Sequence, residues 1–230
     1  MRRVARPRSL VCALFILFAA AAPAQELAAW FDGAPEAAPY AAARERVLKA
    51  AAAAPDLPEG LLVERLVEGA RKRVPPDRLA AALEAEIARL ADLSPLFDRA
   101  KTDPEAFREL LAEGGLLLRA GASRAEIASA LAVASPGEEG SRRALAAVSL
   151  LVALRARFDL GAAEGSRLAA ALVRGAVPRD KFQNLLSVFA RWKAQGLSVA
   201  RVSAVVAEAL EAGASLERVE RELQRRTGKP

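Results

Sequence analysis

Val74-Pro75-Pro76-Asp77-Arg78-Leu79, with Leu83 four positions on, decides the fold, because three other stretches repeat its pattern. They are Ala122-Ser123-Arg124-Ala125-Glu126-Ile127 with Leu131, Val177-Pro178-Arg179-Asp180-Lys181-Phe182 with Leu186, and Ala214-Ser215-Leu216-Glu217-Arg218-Val219 with Leu223. Each opens on a small hinge residue and a Pro or Ser, then sets a polar residue, an apolar one and a leucine one turn later. This is the chemistry of a helix start. Ser123 and Ser215 can accept from exposed backbone N–H groups. Pro75, Pro76 and Pro178 suit a first turn, where a missing N–H costs nothing. Asp77, Asp180 and Glu217 place negative charge at the positive end of the helix dipole.

The residues ahead of each hinge end a helix. Gly121, Gly175 and Gly213 stand where a left-handed residue closes one. In the first unit Arg71, Lys72 and Arg73 dress the last turn with cations instead. Leu57-Pro58, Leu160-Gly161 and Leu197-Ser198 each lie 17 residues before their hinge, so the helices leading into these three hinges match in length. The second helices carry one apolar stripe each, Leu79, Leu83, Ile87 and Leu90 in the first and Phe182, Leu185, Leu186 and Phe189 in the third. The hinges at 75, 123, 178 and 215 are spaced unevenly, by 48, 55 and 37 residues. The expected fold is therefore all-α, a degenerate helix-turn-helix repeat array of hairpins stacked as a small superhelix or bundle.

Outward from the hinges, the chain divides into five expected parts. Residues 1–24 read as a signal peptide: Arg2, Arg3, Arg6 and Arg8 precede the uncharged run from Leu10 to Ala22, and Ala22-Pro23-Ala24 offers a small-x-small cleavage site. The run of 13 residues would reach only about 20 Å as a helix, against roughly 30 Å of bilayer core. Cleavage after Ala24 makes the protein periplasmic or secreted, with no stable membrane span afterwards. Residues 25–56 form a lead-in and a first helix, Ala41 to Ala54, stopped by Pro55. Residues 57–134 and 142–230 are two helical-hairpin halves, joined by a flexible loop at 135–141 rich in Ser, Pro and Gly. Within the second half, Ala144 to Leu154 is the expected buried central helix, and Trp192 a packing residue.

Glu68-Gly69-Ala70-Arg71-Lys72-Arg73-Val74-Pro75, with its long amphipathic continuation, resembles a hinge found in uncharacterised exported bacterial α-helical proteins. The resemblance spans about 30 residues; it implies a helix-turn-helix and carries no activity. The tryptophan, glycine and tyrosine pattern of tetratricopeptide repeats is absent.

Composition narrows the chemistry. The chain has no histidine, and its one cysteine, Cys12, lies in the leader, where Val11 stands in place of the small residue that lipoprotein processing needs. Histidine general bases, thiol nucleophiles and the common zinc and haem sites are therefore excluded, and no cofactor or metal is expected. Loss of four leader arginines takes the 34 basic residues to 30 against 28 acidic, a net +2 with both signs interspersed, so nucleic acid is not an expected partner. Gly121-Ala122-Ser123 and Gly213-Ala214-Ser215 are read as caps rather than nucleophilic serines. Glu64, Glu68, Glu109 and Glu113 are the carboxylates a cell-wall-active enzyme would draw on, though each sits in a charged stretch expected to be solvated. The expected function is non-catalytic: an envelope protein that binds or scaffolds a protein partner. The alternatives are a carrier of a small hydrophobic ligand in a helical cleft, and a carboxylate-based enzyme. Candidate partner contacts are the aromatic pair Trp30 and Phe31 and the cationic cluster Arg71, Lys72 and Arg73.

Overall fold

A computed structural model describes residues 27–54 and 56–227. The leader, the cleavage site after Ala24, Cys12 and the helix stop at Pro55 lie outside the described residues. Among the described residues there are eleven α-helices, a few short 3-10 turns and no strand. The helices are α1 (Leu27–Gly33), α2 (Ala41–Ala52), α3 (Glu59–Arg71), α4 (Pro76–Leu93), α5 (Pro104–Arg119) and α6 (Arg124–Ala132). They continue with α7 (Glu138–Phe158), α8 (Ala162–Arg174), α9 (Asn184–Ala194), α10 (Val199–Glu211) and α11 (Leu216–Thr227).

Helix ends follow the hinge chemistry closely. After α3, α5, α9 and α10 the chain closes with the same paired backbone bonds: Val74 N–H donates to Gly69 O and Arg73 N–H to Ala70 O, and the other three ends repeat this six-to-one and five-to-two pairing. The closing residue is left-handed each time, at Arg73 (φ 53°), Gly121 (φ 101°), Gly196 (φ 88°) and Gly213 (φ 73°). Arg73 is the exception in kind, a side chain in a conformation that favours glycine, held there by the bonds on either side. Gly175 departs from expectation: its φ of −73° is extended-side backbone, so the end of α8 is not closed by a left-handed residue. Helix starts agree at Ser123 and at Pro76, and Ser198 and Asp103 add two caps beyond those expected. Ser123 caps α6 in a full capping box with Glu126, Ser198 caps α10 at Arg201 N, and Asp103 caps α5 at Glu105 N.

The helices α3, α8 and α10 are each 13 residues long, as the matched spacings require. The third hinge behaves differently from the others. Pro178 opens only a 3-10 turn, Arg179–Lys181, and α9 starts at Asn184, although Phe182, Leu185 and Phe189 still turn inward. Of the loop expected at 135–141, residues 138–141 are the first turn of α7.

Apolar stripes assemble into one continuous core running from Leu27 to Leu223. The helix α7 lies at its middle, with Leu145, Val148, Leu151 and Leu154 buried against α5, α6, α8 and α9. The helices α8 and α10 pack side by side, and α4 is sandwiched by α2, α3 and α5. Two glycines set that sandwich. A Cβ at Gly69 would come within 2.5 Å of Leu79, and one at Gly115 within 2.6 Å of Leu90, so α4 approaches α3 and α5 more closely than side chains would allow. The lead-in docks rather than trailing free: Leu27 and Trp30 are buried, Trp30 stacks edge-on to Phe31 at 5.1 Å, and the Tyr40 hydroxyl donates to Val74 O across 3.0 Å.

Candidate functional site

The residues singled out from sequence fall in different places. Trp30 is buried in the chain's own core and Phe31 half-buried beside it, so the pair fastens the lead-in. Of the cationic cluster, Lys72 pairs with Glu68 at 2.6 Å, while Arg71 and Arg73 are exposed at the turn. The carboxylates also diverge. Glu64 is exposed. Glu68 is held below the usual carboxylate range by Lys72 first and by Arg65. Glu109 pairs with Arg142 at 2.6 Å. Glu113 is half-buried, and desolvation pushes its carboxyl upward against the opposing pull of Arg142 and Arg179, with Glu109 adding to the rise.

The most built site is a cleft of about 360 Å³ between α3 and α4, closed at one end by the last turn of α5. Its floor is apolar, formed by Val74, Leu79, Ala82 and Leu83. Charge is gathered at its walls: Arg65, Lys72, Arg89 and Arg119 face two carboxylates, Glu68 and Glu86. The placement follows from the helix geometry. Residues 65, 68, 69 and 72 share one face of α3 at i, i+3, i+4 and i+7, and Glu86 and Arg89 share one face of α4. Gly115 keeps α5 close to α4, which brings Arg119, one turn further along, to Glu86.

Electrostatics in this cleft do not close. Glu86, its side chain 6% exposed, meets Arg89 at 2.6 Å, but Arg119 Nη1 only at 3.4 Å, an ion contact that makes no hydrogen bond. Arg119 Nη1 and Nη2 and Arg65 Nε are all buried, and none finds a hydrogen-bond acceptor among the described residues. Burial pushes the Arg119 guanidinium below its ordinary value; Glu86 opposes this, and Arg65 and Arg89 reinforce it. A buried donor left unmade costs about 1–3 kcal/mol, and these three, from α3 and α5, stay unbonded although Arg65 donates its Nη1 to Glu68 at 2.6 Å.

Two other clefts, of about 400 Å³ beside Arg174 and Glu211 and about 450 Å³ between α9 and α11, are rimmed by ion pairs that are already made. Glu211 is bidentate with Arg167, and Arg191 meets Glu220 at 3.0 Å. Among the described residues no cluster of His, Cys, Asp and Glu could hold a metal, and no helix is long and apolar enough to cross a membrane.

Sequence reasoning passed over Arg65, Glu86, Arg89 and Arg119. The signal was present in one of them. Glu86 interrupts the stripe Leu79, Leu83, Ile87, Leu90 on its buried side, and a charge there needs a partner from a neighbouring helix. Arg119 stands in the last turn of α5, where a cation is ordinary, and gives no such signal. No family model matches the chain, and neither does a curated protein or a solved structure.

Proposed function

We propose that the chain is an exported, non-catalytic binding protein, a degenerate array of helical hairpins that offers the clefts between its helices to a protein partner in the periplasm or the medium. The observation that carries this reading is the position of those clefts. Each opens between helices of the hinge-linked pairs or their immediate neighbours, is walled by charged side chains and is floored by apolar ones, as a partner-binding groove is. Carboxylate catalysis is less well supported: Glu68 is clamped by two cations and driven to the charged form, which opposes proton donation, and Glu113 borders none of the clefts described above.

The test is mass spectrometry of the protein drawn gently from its native envelope, denatured and native. A denatured mass beginning at Gln25, with a stoichiometric protein companion in the native spectrum, supports the reading. A mass that retains residues 1–24 contradicts the exported form, and a bare chain with no companion contradicts the partner.

A second reading, a carrier of a small ligand, is favoured by one observation. The α3–α4–α5 cleft combines an apolar floor with buried guanidinium donors that find no acceptor among the described residues.

A further inference from the structure

We propose that the α3–α4–α5 cleft binds the oxyanion head of a small amphiphile, a carboxylate or phosphate held by Arg119 and Arg65, with its apolar chain lying on Leu79 and Leu83. The proposal rests on the ligand-binding reading and names the ligand's chemistry.

Three observations converge on it. Arg119 Nη1 and Nη2 and Arg65 Nε are buried donors with no acceptor among the described residues, and both side chains line one cleft, so a small turn of each guanidinium would present these donors to a ligand there. Planar guanidinium groups present donors in a fork that fits a two-oxygen acceptor, and they hydrate weakly enough to be kept dry while waiting for one. Glu68 accepts from Nη1 of Arg65 at 2.6 Å and leaves its Nε free, while Glu86 is committed to Arg89 at 2.6 Å and stands off from Arg119 at 3.4 Å, so the two carboxylates neutralise part of the charge without occupying the Arg119 fork. The floor then selects the rest of the ligand. Val74, Leu79, Ala82 and Leu83 present carbon alone, and about 360 Å³ accommodates a short chain but not a bulky group. A free inorganic anion would satisfy the arginines and leave that floor wet; an amphiphile covers both.

Glu86 makes the proposal unusually testable, because it competes with the ligand for Arg119. Replacing it should tighten anion binding, whereas loss of a merely structural residue would weaken it.

The experiment is calorimetric titration of the mature chain with octanoate, acetate and inorganic phosphate at fixed ionic strength. Octanoate is expected to bind saturably and more than about tenfold tighter than acetate, through the methylenes laid on the floor. Octyl phosphate set against inorganic phosphate repeats the comparison for the other head group. Arg119→Met is expected to lower octanoate affinity by on the order of tenfold or more, with folding checked by circular dichroism. Glu86→Gln is expected to raise it several-fold. Any of three results overturns the proposal: no saturable binding of octanoate or octyl phosphate by the native chain, equal affinity for acetate and octanoate, or Glu86→Gln weakening the binding. A missing protein companion in the native spectrum bears on the partner alone and leaves this titration unaffected.

Discussion

Arg143 and Arg119 both carry a part-buried guanidinium, and the molecule treats them in opposite ways. Arg143, on α7, reaches the end of α8, where its Nε donates to Val173 O at 2.8 Å and its Nη2 to the carbonyls of Leu172 and Gly175 at 2.6 Å and of Val177 at 2.8 Å. Its guanidinium also stacks 5.0 Å from the centre of the Phe182 ring. Burial lowers its pKa, as it lowers that of Arg119, with Glu139 opposing. Yet the four carbonyls are the orphan acceptors of a helix end and its hinge, and a cation there both bonds them and complements the dipole. Arg119 has no such set. The contrast separates a buried charge that completes the fold from one that the fold leaves incomplete, and it does so by counting partners rather than by burial.

It also explains why Gly175 is not left-handed. The other hinges close by turning one residue to positive φ, whereas this one is closed from outside by Arg143. Replacing Arg143 by Met should therefore cost the most of any change considered, about 3 kcal/mol, since four carbonyls lose a charged donor. Urea unfolding would show it as a lowered midpoint with little change in slope. Gly175→Ala probes the same hinge through sterics. A Cβ there would lie 2.7 Å from Ala171 O, a backbone atom that cannot swing aside, and a loss of about 1–2 kcal/mol is expected in the same assay.

Arg119→Met sharpens the comparison from the other side. It removes a cation whose desolvation the protein only partly offsets, and leaves Glu86 paired with Arg89, so stability should stay within about 1 kcal/mol or rise. A loss as large as that of Arg143→Met would erase the distinction.

The smallest effect belongs to Glu113, an intermediate case among Arg142, Arg179 and Glu109 with no hydrogen-bonded partner strong enough to hold its pKa down. Its folded value is raised, so the folded chain binds the proton more tightly than the unfolded one. The resulting contribution is fully present below the ordinary carboxylate value and is lost as pH rises through the raised one. Glu113→Gln is accordingly expected to be slightly more stable than the native chain at neutral pH. The gap should close as thermal melts are taken to lower pH.

The hinges were legible because their chemistry is local. Ser123 with Glu126, Pro75 and Pro76, and the left-handed Gly121 and Gly213 all act within a few residues of where they stand. The helix α1 was less so, since a seven-residue helix has little period to detect and is held by Trp30 against distant Tyr40. Arg143 was invisible for a stronger reason: its partners lie about 30 residues away and are backbone atoms, which no side-chain pattern reports. The cleft shares that difficulty. Arg65, Glu86 and Arg119 come from three helices, and only Glu86, a charge on a buried stripe, marked its own position.

The most direct test of the distinction between the two arginines is one urea series on the native chain, Arg143→Met and Arg119→Met, each with and without octanoate. The account predicts a loss of about 3 kcal/mol for Arg143→Met, little or none for Arg119→Met, and stabilisation by octanoate that Arg119→Met alone abolishes. Equal losses for the two variants, with octanoate raising the midpoint of neither the native chain nor Arg143→Met, would contradict it.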